Sequence, residues 1–152
     1  MPTVRDLLGR KRARGAPGSG DVVSTTPDAT VLAAAQLMNE RGIGGLVVKE
    51  GGALAGIFTE RDILRRIVGQ QRDPATTRVR DVMTAPVLTV RPDTKVVECR
   101  ALFSDRRIRH LPVLDTDGSV CGVVTSGDVL AFEADEARST VEHLESYVYN
   151  SR

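Results

Sequence analysis

The sequence has no tryptophan, and three phenylalanines and two tyrosines are its only other large aromatic residues, 3% of 152. So few flat rings leave little surface on which the bases of a nucleic acid can stack, and a core has to be built from Val, Leu, Ile and Ala. Cys99, Cys121, His110 and His143 are the only cysteines and histidines. They are too few for a disulfide framework or a zinc cluster, so no metal is expected and the thiols read as buried groups in a reducing cytoplasm. The net charge of +1 creates no field that would draw the chain onto DNA or an anionic membrane. No apolar run approaches the roughly 20 residues of a membrane span, and residues 1–8 lack the apolar stretch of a secretory signal. The Arg-rich continuation slightly resembles a mitochondrial presequence, but Asp6 and the Gly/Pro content argue against one. A cytoplasmic location is the expectation.

What is present is a repeat. Val4-Arg5-Asp6-Leu7-Leu8 returns as Val79-Arg80-Asp81-Val82-Met83. Pro27-Asp28 returns as Pro92-Asp93, 65 positions on, and Ile43 and Leu46 return as Ile108 and Leu111 at the same shift. Gly56-Ile57-Phe58-Thr59-Glu60-Arg61-Asp62 returns 66 positions on as Gly122-Val123-Val124-Thr125-Ser126-Gly127-Asp128. The added residue falls in a Gly/Asp turn, where insertions are tolerated. The first block shifts by 75, so repeat 1 carries about ten additional residues. They lie in the Gly/Pro/Arg-rich stretch 10–20, which reads as a mobile loop.

Both repeats share one local pattern. A short extended run (22–25 or 87–90) precedes a helix whose apolar residues keep a 3.6-residue period: Val31, Ala34, Ala35 and Met38 in the first copy, Val96, Cys99 and Phe103 in the second. Pro-Asp pairs mark the helix starts. Two strands joined by a tight turn follow, 46–48 with 54–59 and 111–114 with 120–125. A second helix begins near Glu60 or Ser126. The expected fold is therefore α/β, of the α+β kind, with two β-α-β-β-α units. They occupy 1–73 (with the loop 10–20) and 74–133, followed by an amphipathic helix over 134–152. A unit of some 60 residues is near the lower limit for an independent core, so the two should pack on each other.

The duplicated β-α-β-β-α order, the segment Ile108-Arg109-His110-Leu111-Pro112-Val113 and a doubled Gly-h-h-Thr-x-x-Asp (h apolar) resemble the CBS domain, named after cystathionine β-synthase, and a pair of such domains forms a Bateman module. The resemblance spans roughly residues 4–132. It implies two repeats packed head to tail about a pseudo-twofold axis, with two clefts between them that bind an adenosine-type ligand: AMP, ADP, ATP, NAD or S-adenosylmethionine. It also implies ribose held by the Asp, phosphates near basic residues at the repeat interface, and adenine against Val22, Ile43, Val87 and Ile108.

The residues fit that role chemically. Thr59 and Thr125 stand where a strand ends and a helix begins, with free backbone N–H groups and the positive end of the helix dipole at the cleft. Asp62 and Asp128 follow three residues on; an ionised carboxylate accepts hydrogen bonds from the two hydroxyls of a ribose. Thr-x-x-Asp is also the spacing of a helix capping box, and one residue pair can do both. The phosphate positions are unequal: repeat 2 has Arg109-His110 where repeat 1 has Gly44-Gly45, and repeat 1 has Arg61 where repeat 2 has Gly127. If Arg109 reaches across, the cleft of Thr59 and Asp62 is the richer in positive charge, with Arg61, Arg109 and His110 as phosphate contacts. His110 has no nucleophile or orienting acid around it and is not a candidate base.

Beyond the repeats, Leu130, Ala134, Ala137, Val141, Leu144 and Val148 follow the 4-3-4-3-4 spacing of a coiled-coil-like stripe. Such a helix either folds back on its own module or packs on a second chain, and the resemblance favours a homodimer. The run Arg10-Lys11-Arg12-Ala13-Arg14 reads as solvated, the alternative being contact with nucleic acid or an acidic partner. The function expected is a non-catalytic, nucleotide-sensing regulatory module acting on a protein that the sequence does not name, with no catalytic cofactor and no membrane contact. The alternative is a nucleic-acid-binding or structural protein that uses the same scaffold without sensing a nucleotide.

Overall fold

The computed structural model describes residues 1–150; Ser151 and Arg152, the end of the expected 134–152 helix, lie outside the described residues. The chain folds as helix α1 (Val4–Ala13), strand β1 (Ser24–Thr25), α2 (Val31–Arg41), β2 (Gly45–Glu50), β3 (Ala53–Thr59), a short α3 (Glu60–Asp62) running on as a π-helical segment (Ile63–Val68), α4 (Val79–Val82), α5 (Val96–Arg106), β4 (His110–Leu114), β5 (Val120–Thr125) and α6 (Ser126–Asn150). The architecture is α+β with two small sheets, β1-β2-β3 and β4-β5. In the first, β1 runs parallel to β2 and β2 pairs antiparallel with β3; in the second, β4 and β5 form the matching hairpin. The extended run expected at 87–90 reduces to a single parallel bridge, Val90 to Val113.

The periodic residues form the cores. Val31, Ala34 and Met38 of α2 are buried with Leu46, Val48 and Phe58 of β2 and β3, and Val96, Cys99 and Phe103 of α5 with Leu111, Val113 and Val124 of β4 and β5. Burial raises the Cys99 thiol to about 11, with the nearby Glu98 charge adding to the effect. That sulfur stays protonated and inert at neutral pH.

The expected boundary between 73 and 74 is crossed twice by the packing. Val4 and Leu7 of α1 lie in the core of the second repeat, whereas Val79 and Val82 of α4 lie in the core of the first. Each repeat thus lends its leading helix to the other. The glycines at 56 and 122 make this exchange possible: a Cβ at Gly56 would stand 2.7 Å from Met83 Sδ, and one at Gly122 2.9 Å from Leu8. They admit these helices rather than a ligand.

The stretch 10–20 is a loop only in part. Residues 10–13 complete α1, and Lys11 is buried at 4% exposure. Arg10 is ion-paired to Glu136 and stacks over the Phe132 ring at 4.5 Å, while Arg14 pairs with Asp135 at 3.5 Å. The basic run is therefore a clamp on the acidic first half of α6. That helix is one continuous rod from Ser126, with no break at 134. Leu130, Ala134, Ala137, Val141, Leu144 and Val148 are all exposed. No helix among the described residues is long and apolar enough to cross a membrane.

Candidate functional site

Both Thr-x-x-Asp segments sit at strand-to-helix junctions, and both form capping boxes. Asp62 Oδ2 accepts hydrogen bonds from the Thr59 backbone N–H at 3.0 Å and the Thr59 hydroxyl at 3.3 Å. Asp128 Oδ2 accepts from the Thr125 N–H at 2.8 Å, and the Asp128 N–H donates back to the Thr125 hydroxyl oxygen at 3.0 Å. The caps fix both carboxylates at helix mouths, where the first-turn N–H groups favour negative charge.

A first cleft of about 570 Å³ lies between the two mouths. Thr59, Arg61 and Asp62 line it from the first repeat, and Ile108, Arg109, His110 and Thr125 from the second, together with Arg65 and Thr84. Arg109 does reach across, so three guanidinium groups border this cleft. Arg61 is held in place by a hydrogen bond from Nη1 to the Arg107 carbonyl oxygen. The second carboxylate oxygen of Asp62 is engaged too: it accepts from the Thr84 hydroxyl at 3.0 Å and faces Arg66 at 3.9 Å. Beyond Arg61 and Arg109 the cleft opens into a groove bordered by Arg100 and Arg107 over Phe103 and Leu130.

A second, smaller cleft of about 290 Å³ holds Val22, Val23, Ile43, Thr125 and Asp128, with His110 on its border as well. Val87, expected against adenine, is half-buried and is not among the residues lining either cleft. Its partner by repeat, Val22, lines the second cleft beside Pro17 and Gly18, which belong to a stretch with no counterpart in the second copy. Sequence reading missed Thr84, Arg65 and, in the second cleft, Lys11, whose Nζ lies 2.7 Å from Asp128 Oδ2. Only Lys11 left a trace in the sequence: it continues the buried spacing of Val4 and Leu7 on α1.

His110 stands between the clefts, against Gly45. These two positions are equivalent in the repeat and touch each other, so they lie at the pseudo-twofold axis. A Cβ at Gly45 would come within 3.0 Å of the imidazole ring, which is why only one copy carries a side chain there. Burial lowers the His110 pKa to about 4, and the Arg109 and Lys11 charges push the same way. At neutral pH it is an uncharged hydrogen-bonding group, not a cationic phosphate contact as its basic character implied. Among the described residues no cluster of His, Cys, Asp or Glu has a metal-holding arrangement.

Comparison with known proteins agrees with this geometry. The CBS domain family matches residues 18–69 and 79–135. The chain is 38% identical over 151 residues to the Arabidopsis thaliana "CBS domain-containing protein CBSX3, mitochondrial", a span of 96% of this chain and 71% of that protein. It superposes with a TM-score of 0.75 on a solved "putative signal-transduction protein with CBS domains from Burkholderia ambifaria MC40-6", at 43% identity over 84% of this chain and 90% of that one. It also superposes with a TM-score of 0.70 on "CBSX2 in complex with AMP", at 26% identity over 90% and 99% of the two chains. By its doubled motif, its fold and these matches, the chain belongs to the CBS domain family, as a tandem pair.

Proposed function

We propose that this protein is a non-catalytic regulatory module that binds an adenine nucleotide in the cleft of Thr59 and Asp62, with ribose on the carboxylate and phosphates on Arg61 and Arg109. The observation that carries the reading is the convergence of a buried carboxylate, at 5% exposure, and three arginines from both repeats on one cavity between two helix mouths. A ribose hydroxyl takes the place of the Thr84 hydroxyl on Asp62. Arg65 and the adjoining Arg100–Arg107 groove leave room for further phosphates, so the di- and triphosphate and dinucleotides such as NAD fit as well as AMP. The AMP held by the related CBSX2 supports the ligand class.

Because the lining comes from both repeats, a bound nucleotide favours the arrangement in which they are closest, and the energy available to shift that equilibrium is the difference in affinity between the two arrangements. The output passes to a second copy of the chain or to a regulated protein. The exposed stripe of α6, with Leu130, Val141 and Leu144 at 53–68% exposure, is the surface we assign to a homodimer. Two unpaired cysteines suit a reducing compartment, the cytoplasm.

The test is a calorimetric titration with AMP, ADP, ATP and NAD. Each hydrogen bond to a charged group contributes about 1.5–3 kcal/mol, so Asp62→Asn, which keeps the shape of the cap, is expected to weaken binding roughly 10- to 100-fold. Arg61→Ala is expected to weaken it most for the ligands with more phosphates. No binding by any of the four, or unchanged affinity in Asp62→Asn, overturns the proposal.

A further inference from the structure

The buried face of α1 reads Val4, Leu7, Lys11, an apolar stripe that ends in an ammonium. Desolvating that charge is costly, and an aliphatic residue would continue the stripe without the cost, so the lysine needs a reason beyond packing. Its Nζ donates to Asp128 Oδ2 at 2.7 Å and to the Val123 carbonyl oxygen at 3.0 Å, and its side chain lines the second cleft. The carboxylate oxygen it takes is the one that also accepts from the Thr125 N–H at the start of α6.

The first cleft is arranged differently. Asp62 Oδ1 accepts from a neutral hydroxyl, that of Thr84. Arg66, its ion-pair partner, stands 3.9 Å away and half exposed, with Nη1 donating to the carbonyl oxygens of Val82 and Met83. In the repeat, Lys11 corresponds 75 positions on to Pro86, which has no ammonium and lies beyond the end of the four-residue α4 at Val82. Helix α1 runs for ten residues, and the turns that α4 lacks carry Lys11 to Asp128. The same part of the chain is tied to α6, Arg10 to Glu136 and Phe132, and Arg14 to Asp135.

We infer that Lys11 is a built-in occupant of the Asp128 carboxylate that closes the second cleft to nucleosides, so that the module offers one nucleotide site per chain. A sugar hydroxyl that took the place of Lys11 would strand a buried ammonium, and removing one partner of a buried ion pair is strongly destabilising because the other charge is left uncompensated. On Asp62 a sugar hydroxyl replaces the Thr84 hydroxyl, an exchange of like for like. Space points the same way. With Lys11 in place the second cleft measures about 290 Å³ against about 570 Å³ for the first, below the usual range of ligand pockets, about 300–1,000 Å³. The inference rests on the nucleotide-binding reading of the first cleft. It concerns the other cleft and a residue outside both family matches, and it withdraws from Asp128 the ribose role that the repeat implies.

The experiment titrates the full chain carrying Asp62→Asn, which weakens the first cleft, with adenosine, a probe without phosphates for the arginines to hold. Lys11→Ala in that background is expected to raise the affinity at least about tenfold, since a ribose hydroxyl then finds a charged acceptor. A purely structural role for Lys11 would lower the urea midpoint of Lys11→Ala and leave adenosine affinity where it was, and that result overturns the inference. Lys11→Gln, which keeps the length of the side chain without its charge, takes its place if Lys11→Ala fails to fold, and no gain there overturns the inference as well. So does an unsubstituted chain that takes up two equivalents of AMP, a result that needs no change at position 11. If the unsubstituted chain takes up one equivalent, lost in Asp62→Asn, and Lys11→Ala adds none, this inference fails and the first-cleft reading stands. If the unsubstituted chain takes up none while Lys11→Ala binds adenosine, the first-cleft reading fails and this inference stands; if no form binds adenosine or AMP, both fail.

Discussion

Replacing Leu7 by alanine should destabilise the second repeat, although Leu7 stands more than 80 residues before that repeat's first core residue, Val90. Leu7 is 2% exposed and sits among Val90, Val96, Cys99, Phe103, Leu111 and Val124. Truncating a buried leucine removes its transfer free energy and leaves a cavity, at a cost of about 2–5 kcal/mol. For a chain of this length 1 kcal/mol moves the melting temperature by roughly 2–4 °C, so a loss of some 3 kcal/mol corresponds to about 6–12 °C. Urea unfolding is the assay, with the midpoint falling and the slope unchanged, as expected when the native state loses stability without changing how much surface unfolding exposes. Arg12→Ala, at an exposed position on the same helix, is the control and should stay within about 0.5 kcal/mol. If Leu7→Ala moves the midpoint no further than Arg12→Ala, α1 does not belong to the second core, and the geometry argued for Lys11 fails with it.

Two further outcomes are expected. His110 titrates near 4 in the folded chain and near its ordinary 6.5 in the unfolded one, so the unfolded state takes up its proton first as pH falls. Its contribution is complete above pH 6.5 and is lost between 6.5 and 4, by at most about 3 kcal/mol. Urea midpoints across that range should fall more steeply for the unsubstituted chain than for His110→Asn, and parallel curves would refute the assignment. Arg107 ends α5 at φ +53, where the equivalent Gly42 ends α2 at φ +64. Arg107→Gly should raise stability by about 1 kcal/mol by relieving left-handed strain, since the bond from Arg61 goes to the backbone carbonyl and survives; a drop in thermal stability would contradict this.

Much of the molecule was legible because its information is local. The 3.6-residue period of Val31, Ala34 and Met38 marks a helix face whatever that face packs against, and a Gly/Asp turn between two β-branched runs marks a hairpin. The doubled Thr-x-x-Asp marks two helix starts with a carboxylate at each. The 87–90 run was misjudged because a strand needs a neighbour along its whole length, and here only Val90 finds one. Val87 was placed by analogy with Val22, yet Val22 lines its cleft beside Pro17 and Gly18, in a stretch that only the first copy has.

The amino-acid sequence by itself determined the repeat, the family, the two helix faces and the positions of both carboxylates, since each depends on residues within a few places of one another. Tertiary structure alone decided which core each leading helix enters, that Lys11 of a seemingly solvated basic run meets Asp128, and that His110 is held uncharged. These depend on groups brought together from over 100 residues apart in the case of Lys11, and on how much water the packing leaves around them. Neither distance in space nor dielectric surroundings is written in the spacing of residues along a chain.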